Sequence, residues 1–224
     1  MPSLYRCHSM RIAVMACFLT FLAPAKQAAA DIRRDADTVT FSGRIAAADF
    51  ETLSTVLATE SVSTIHFKNS GGGSFSYGLR IGKLISEKNI KTVVEGICAS
   101  ACAIAFLGGN PREFSEAQPD SALMIHPGFE PGKQIPAAET KDMLFAWIEA
   151  RTGRPLAADF IAAMDKIATR KGGIYFLSAS HGAVLKSNST VFICDGTEKN
   201  IIDCPGRRDW SADNMQITAS SVTR

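Results

Sequence analysis

From Thr38 to Ile125 the chain alternates short apolar runs with segments of helical spacing, and most runs stop at a glycine or small-residue break. No other feature constrains the fold as much, because strands separated by helices pair in parallel and have their faces covered by those helices. Residues 38–41 (TVTF) predict a strand closed by Gly43, and Phe50, Leu53, Val56 and Leu57 give residues 46–58 a helical period. Residues 63–67 alternate as a strand that ends in Gly71-Gly72-Gly73, and residues 77–85 follow as a helix with Leu79, Leu84 and Ile85 turned inward. A strand over 91–94 breaks at Gly96, residues 101–107 predict a buried helix of small apolar residues, and residues 122–125 predict a buried strand before His126-Pro127-Gly128. Helices over 139–151 and 155–169 come next, separated by Gly153 and Pro155. The pattern predicts an α/β fold with a largely parallel sheet.

The N-terminus carries Arg6 and Arg11, an apolar run over 12–23, Pro24 and then Ala28-Ala29-Ala30. Charged, apolar and small-residue segments in that order make a cleavable secretory signal. The apolar run is about a dozen residues, short of the ~20 a spanning helix needs. Ala28 and Ala30 fit the A-x-A pattern and predict cleavage after Ala30; Met10 opens a segment that is a complete signal by itself. Cleavage removes three of 24 basic residues (Arg6, Arg11 and Lys26) and none of 22 acids, so the charge moves from +2 to −1. A near-neutral chain without basic clusters is not a dedicated nucleic-acid binder. The organisation expected is a signal peptide over 1–30, one domain over 31–204 and a polar C-terminal tail over 205–224, in a periplasmic or secreted protein. Cys7 and Cys17 leave with the signal, and four of six cysteines remain.

Three predicted strands end in chemically suggestive turns. Asn69-Ser70-Gly71-Gly72-Gly73 lets the backbone approach a ligand and free its amides, without the Gly-Lys-Ser/Thr ending of a phosphate loop. Gly96-Ile97-Cys98-Ala99-Ser100-Ala101-Cys102 places a serine, flanked by alanines, at a strand-to-helix junction. There Ser100 serves either as a helix cap or as a nucleophile beside an oxyanion-stabilising helix start. His126, after an apolar strand, is either a general base or a hydrogen-bonded core residue. His66 reads as structural and His181 as exposed.

Together the three segments resemble the proteolytic subunit of the Clp protease and the wider Clp/crotonase superfamily, in particular its exported members. KNSGGGSFSYGLRIGKLI is similar to that family's Asn-Ser-Pro-Gly-Gly-Ser loop and following helix, with Gly71 at the proline's place. GICASACA resembles the nucleophile segment, ALMIHPG the general-base segment, and TGRPLAADF and YFLSASHGA later parts of the domain, so most of residues 60–190 is covered. The resemblance implies a spiral of ββα units and an acyl transfer to Ser100, with His126 as general base and the amides of Gly72 and Ala101 as oxyanion hole. It implies a peptide or protein substrate and no cofactor. The family's acid has no counterpart: Ile174 stands at its place, and Asp165 is the nearest upstream carboxylate. A weakly active or inactive member that binds a peptide or an acyl group is the alternative. The segment between His126 and Thr152 is shorter than the family's ring-stacking region, so a double ring is not carried over. A homo-oligomer is left open, and no ATP-dependent unfoldase is expected beside an exported protein.

Cys98 and Cys102 bracket Ser100 and are either a disulfide or two small buried thiols. One turn of regular helix between them would be awkward for a bond. A metal site from Cys98, Cys102 and His126 lacks a fourth ligand and the usual spacing, so none is expected. Cys194 and Cys204 flank a polar loop with Asp195-Gly196 and are expected to pair across a hairpin turn.

Overall fold

The computed structural model describes residues 29–115, 117–130, 133 and 137–219, so the predicted signal segment lies outside the described residues except for Ala29 and Ala30. In chain order the strands are β1 (Asp31–Asp35), β2 (Thr38–Ser42), β3 (Thr64–Ser70), β4 (Lys91–Ala99), β5 (Arg112–Phe114), β6 (Ala122–Ile125), β7 (Gly173–Leu177), β8 (Val191–Cys194), β9 (Gly206–Arg207) and β10 (Ile217–Ala219). The helices are α1 (Ala47–Thr59), α2 (Phe75–Glu87), α3 (Ala101–Phe106), α4 (Ala138–Thr152), α5 (Ala158–Asp165) and α6 (Ala179–Val184). Short 3-10 turns occupy Ile201–Asp203 and Ala212–Met215.

The sheet runs β1-β2-β3-β4-β6-β7-β8-β9, with β5 on the edge of β4 and β10 on β5. Its centre is parallel, from β2 through β3 and β4 to β6, and antiparallel pairs flank it on both sides. Alternation explains the strands: Ile65 and Phe67 of β3 and Val39 and Phe41 of β2 point into the core and are fully buried. Every residue of α3 is buried, which is why that segment is built of Ala, Cys, Ile and Phe.

β4 extends beyond its expected end at Gly96. Its first half pairs β5 through Thr92–Val94, and its second half pairs β6 through Ile97–Ala99. Gly96 turns the strand from one partner to the other at φ +73°, and a Cβ there would strike the Asn69 side chain at 2.1 Å. The glycine is a bend within the strand rather than its end.

Residues 205–219 are not the polar tail the composition suggests. β9 pairs β8, β10 lies parallel to β5, and Met215 and Ile217 are buried between them and the domain. Buried Arg112 fastens this segment, donating to the carbonyls of Met215 (3.2 Å) and Gly109 (2.8 Å) and to Gln216 Oε1 (2.7 Å). α5 is also shorter than the helix expected over 155–169, starting after Pro155 and stopping at Asp165. No helix among the described residues is long and apolar enough to cross a membrane.

Candidate active site

The site is assembled where β4 hands over to α3. Ser100 occupies the N-cap position but at φ 59° and ψ −123°, and its hydroxyl makes no capping bond. A capping residue is ordinarily extended, with its side-chain oxygen on the second or third helical amide. The capping alternative therefore fails, and the hydroxyl is left without a hydrogen-bond partner among the described residues. Holding a non-glycine residue in this region costs about 1–3 kcal/mol and requires the surroundings to enforce it.

Three neighbours do so. The Ser100 N–H donates to Met124 O at 2.9 Å, which ties the junction to the end of β6 two residues before His126. The Gly72 backbone, at φ +88°, lies directly on the junction. A Cβ on Gly72 would fall 2.5 Å from Ala99 O, 2.7 Å from Ser100 Cβ and 2.9 Å from Ala101 N, so no other residue fits. Third, a disulfide joins Cys98 to Cys102 around Ser100, with the Cα atoms 5.3 Å apart. That pair is feasible because Cys98 belongs to a strand and Cys102 to the first turn of a helix, so the anticipated difficulty of one regular helical turn does not arise.

The expected oxyanion donors are brought together: Ala101 N–H is the first helical amide, which has no intrahelical acceptor, and Gly72 faces it. A further donor escaped the sequence reading. Gly72 N–H leans on Ser70 Oγ at 3.4 Å. Gly73 bridges Ile45 through Gly72 O (2.8 Å) and the Ser74 amide (2.9 Å). Its own N–H is thus turned away from Ile45. Only the strand register shows this; a run of three glycines carries no signal for which way each amide faces.

His126 is 8% exposed, and its Nδ1 is buried with no hydrogen-bond partner among the described residues. No hydrogen bond joins its ring to Ser100 either. Burial pushes the imidazole down to about 4; the Pro127 carbonyl opposes this and the Arg170 guanidinium adds to it. Arg170 donates to Glu130 O (2.7 Å) and Lys133 O (3.0 Å) and lies over the Phe129 ring, so it braces the turn that follows the histidine. His126 is therefore neutral at ordinary pH and able to accept a proton.

The two carboxylate expectations separate here. Ile174 is fully buried and stands opposite Ile125 in the β6–β7 ladder, next to the histidine's own turn. Asp165 pairs with Lys141 at 2.6 Å at the surface and makes no contact with His126. His66 lies mid-strand on β3 with its Nδ1 3.6 Å from Glu95. His181, expected to be exposed, is half-buried with an enclosed Nδ1.

Cys194 and Cys204 are bonded, with Cα atoms 5.1 Å apart. They close the connection between β8 and β9, which holds a 3-10 turn, rather than the tight hairpin expected at Asp195-Gly196. The one cluster of potential metal ligands among the described residues, Cys194, Glu198 and Cys204, offers no thiolate because its sulfurs are bonded to each other. The same holds for Cys98 and Cys102.

No protein-family model matches the chain, and no curated protein does. Among solved structures it is similar to a ClpP1 point mutant from Listeria monocytogenes, with a TM-score of 0.48 and 26% identity over 66% of this chain and 86% of that one. It is also similar to ClpP1 from the same organism, with a TM-score of 0.42 and 30% identity over 53% of this chain and 73% of that one.

Proposed function

We propose that this chain is an exported serine peptidase-like acyl hydrolase. Ser100 attacks a peptide or ester carbonyl, His126 takes the serine proton and later returns it to the leaving group, and backbone amides receive the oxyanion. The observation that carries the reading is the Ser100 junction: a strained serine whose hydroxyl caps nothing, with the Gly72 backbone seated on it. A structural serine has no need of that conformation. Ala101 N–H together with Gly72, or with the Gly73 amide that faces away from Ile45, forms the oxyanion hole in this reading. Two buried disulfides favour an oxidising compartment, in keeping with a signal peptide cleaved after Ala30. A peptide or protein substrate, freedom from an ATP-driven unfoldase and assembly with copies of itself belong to the same reading.

A second reading has one observation of its own. The unpartnered Nδ1 of His126 and the isoleucine at position 174 leave the base without an orienting carboxylate among the described residues, and loss of that group alone costs a triad about 10⁴ in turnover. A protein that holds an acyl or peptide ligand over Gly72 and Ala101 with little turnover fits that feature. Hydrolysis of fluorogenic peptides and short-chain esters by residues 31–224, beside Ser100→Ala and His126→Ala, separates the two. Turnover lost in both variants supports the hydrolase; ligand binding with no turnover in any form supports the binder.

A further inference from the structure

The Cys98–Cys102 bond is placed around Ser100, which is held at φ 59° and ψ −123°. One cysteine lies two residues before Ser100 at the end of β4, paired in register with Ser70 of β3. The other lies two residues after it, in the first turn of α3. Both are 0% exposed, as are Ala101, Ala103 and Ala105 around them. The remaining constraints on Ser100 are two backbone hydrogen bonds, its N–H to Met124 O and its carbonyl accepting from Ile104 N–H, and the contact with Gly72, none of them covalent.

We infer that Cys98 and Cys102 are positioning residues for the nucleophile, and that the site is latent until they are oxidised. The inference rests on Ser100 being the nucleophile. Two thiols need more room than a bonded pair, because unbonded sulfurs sit at van der Waals separation. Packing this dense has no slack to give them. In the dithiol chain the end of β4 and the first turn of α3 move apart, and Ser100, the link between them, relaxes out of its φ 59° conformation. Its hydroxyl and the Ala101 amide then lose their common alignment. Oxidation proceeds by thiol–disulfide exchange with a disulfide donor RSSR, either an oxidised small thiol or a dithiol oxidase. The donor S–S bond breaks, the Cys98–Cys102 bond forms, and two RSH leave with the two electrons and two protons. A chain held in a reducing compartment stays inactive, and folding in an oxidising one switches the site on. Once formed, the bond is shielded by its burial, so activation runs one way while the fold persists.

The test uses residues 31–224 carrying Cys194→Ser and Cys204→Ser, so that a single disulfide titrates. The chain is refolded from denaturant in mixtures of reduced and oxidised glutathione, and each sample is measured for free thiols, circular dichroism and fluorophosphonate labelling. The expected result is a labelling rate that follows Cys98–Cys102 oxidation and is at least about tenfold lower in the dithiol form. The maximal inactivation rate falls while the probe's binding constant and the circular dichroism stay unchanged. That split would not follow from a bond that merely stabilises the fold. Cys98→Ala with Cys102→Ala, where it folds, behaves as the dithiol form and is not rescued by oxidised glutathione. Labelling within about twofold across the titration, with Ser100→Ala blank, overturns the inference and leaves the serine assignment intact. Absence of labelling in the fully oxidised protein removes the serine assignment itself.

Discussion

Protonation of His126 offers a quantitative test. Burial lowers its value from 6.5 to about 4, helped by Arg170. A general base must be neutral to accept the Ser100 proton, so the labelling rate follows its deprotonated fraction. At pH 5.5 a histidine with an ordinary value is about 9% neutral, whereas one at about 4 is about 97% neutral. Labelling by a fluorophosphonate, whose own charge does not change in this range, should differ little between pH 7.5 and 5.5 and fall through a midpoint near 4. The same shift has a stability consequence. The unfolded chain takes up the proton first, so stability supplied by the neutral buried ring is complete above 6.5 and is lost as pH falls toward 4. The loss amounts to about 3 kcal/mol when complete. Circular dichroism at each pH separates unfolding from protonation of the base. A labelling midpoint at 6.5 or above, in protein that is still folded, refutes the assignment of a buried neutral His126 as the base.

Three other perturbations follow from the same geometry. Gly72→Ala places a methyl within 2.9 Å of three atoms of the Ser100 junction at φ +88°, so it should lower stability by about 2 kcal/mol or more and abolish labelling; thermal melts and labelling read both, and unchanged labelling would contradict the close approach. Replacing Cys194 and Cys204 by serine removes a cross-link spanning 10 residues, worth about 3 kcal/mol, and should lower Tm by about 6–10 °C while labelling at 25 °C is preserved. Ile174→Asp introduces a carboxylate beside the His126 turn; it should destabilise the fold yet raise the labelling rate at least about tenfold, and a folded variant with no gain would count against position 174 as the place of an orienting acid.

Most of the parallel centre of the sheet was readable because its strands and helices carry opposite periods: Ile65 and Phe67 alternate, while Leu79 and Ile85 do not. Gly96 misled because a glycine marks a bend and an end alike, and only the partners on either side, β5 and then β6, distinguish them. The C-terminal strand was hidden because Met215 and Ile217 are two apolar residues in a polar stretch, too few to set a period. At the site, residue types and order pointed to Ser100 and His126. The sequence could not say that the serine caps nothing, because capping and catalysis favour the same residue at the same junction. Nor could it dismiss Asp165, whose engagement with Lys141 depends on how α4 and α5 lie together. Pairing of Cys98 with Cys102 was undecided for a local reason: four residues apart permits a bond only if a strand becomes a helix between them, and that change occurs at Ser100.

The most direct measurement is the site of fluorophosphonate attachment. Purified residues 31–224, oxidised and at neutral pH, are treated with the probe, digested and mapped by mass spectrometry. A single adduct on Ser100, absent from Ser100→Ala and much slower to form in His126→Ala, is the expected result. An adduct on another residue, labelling that persists in Ser100→Ala, or an oxidised and folded protein that takes up no probe would contradict a serine nucleophile at this junction.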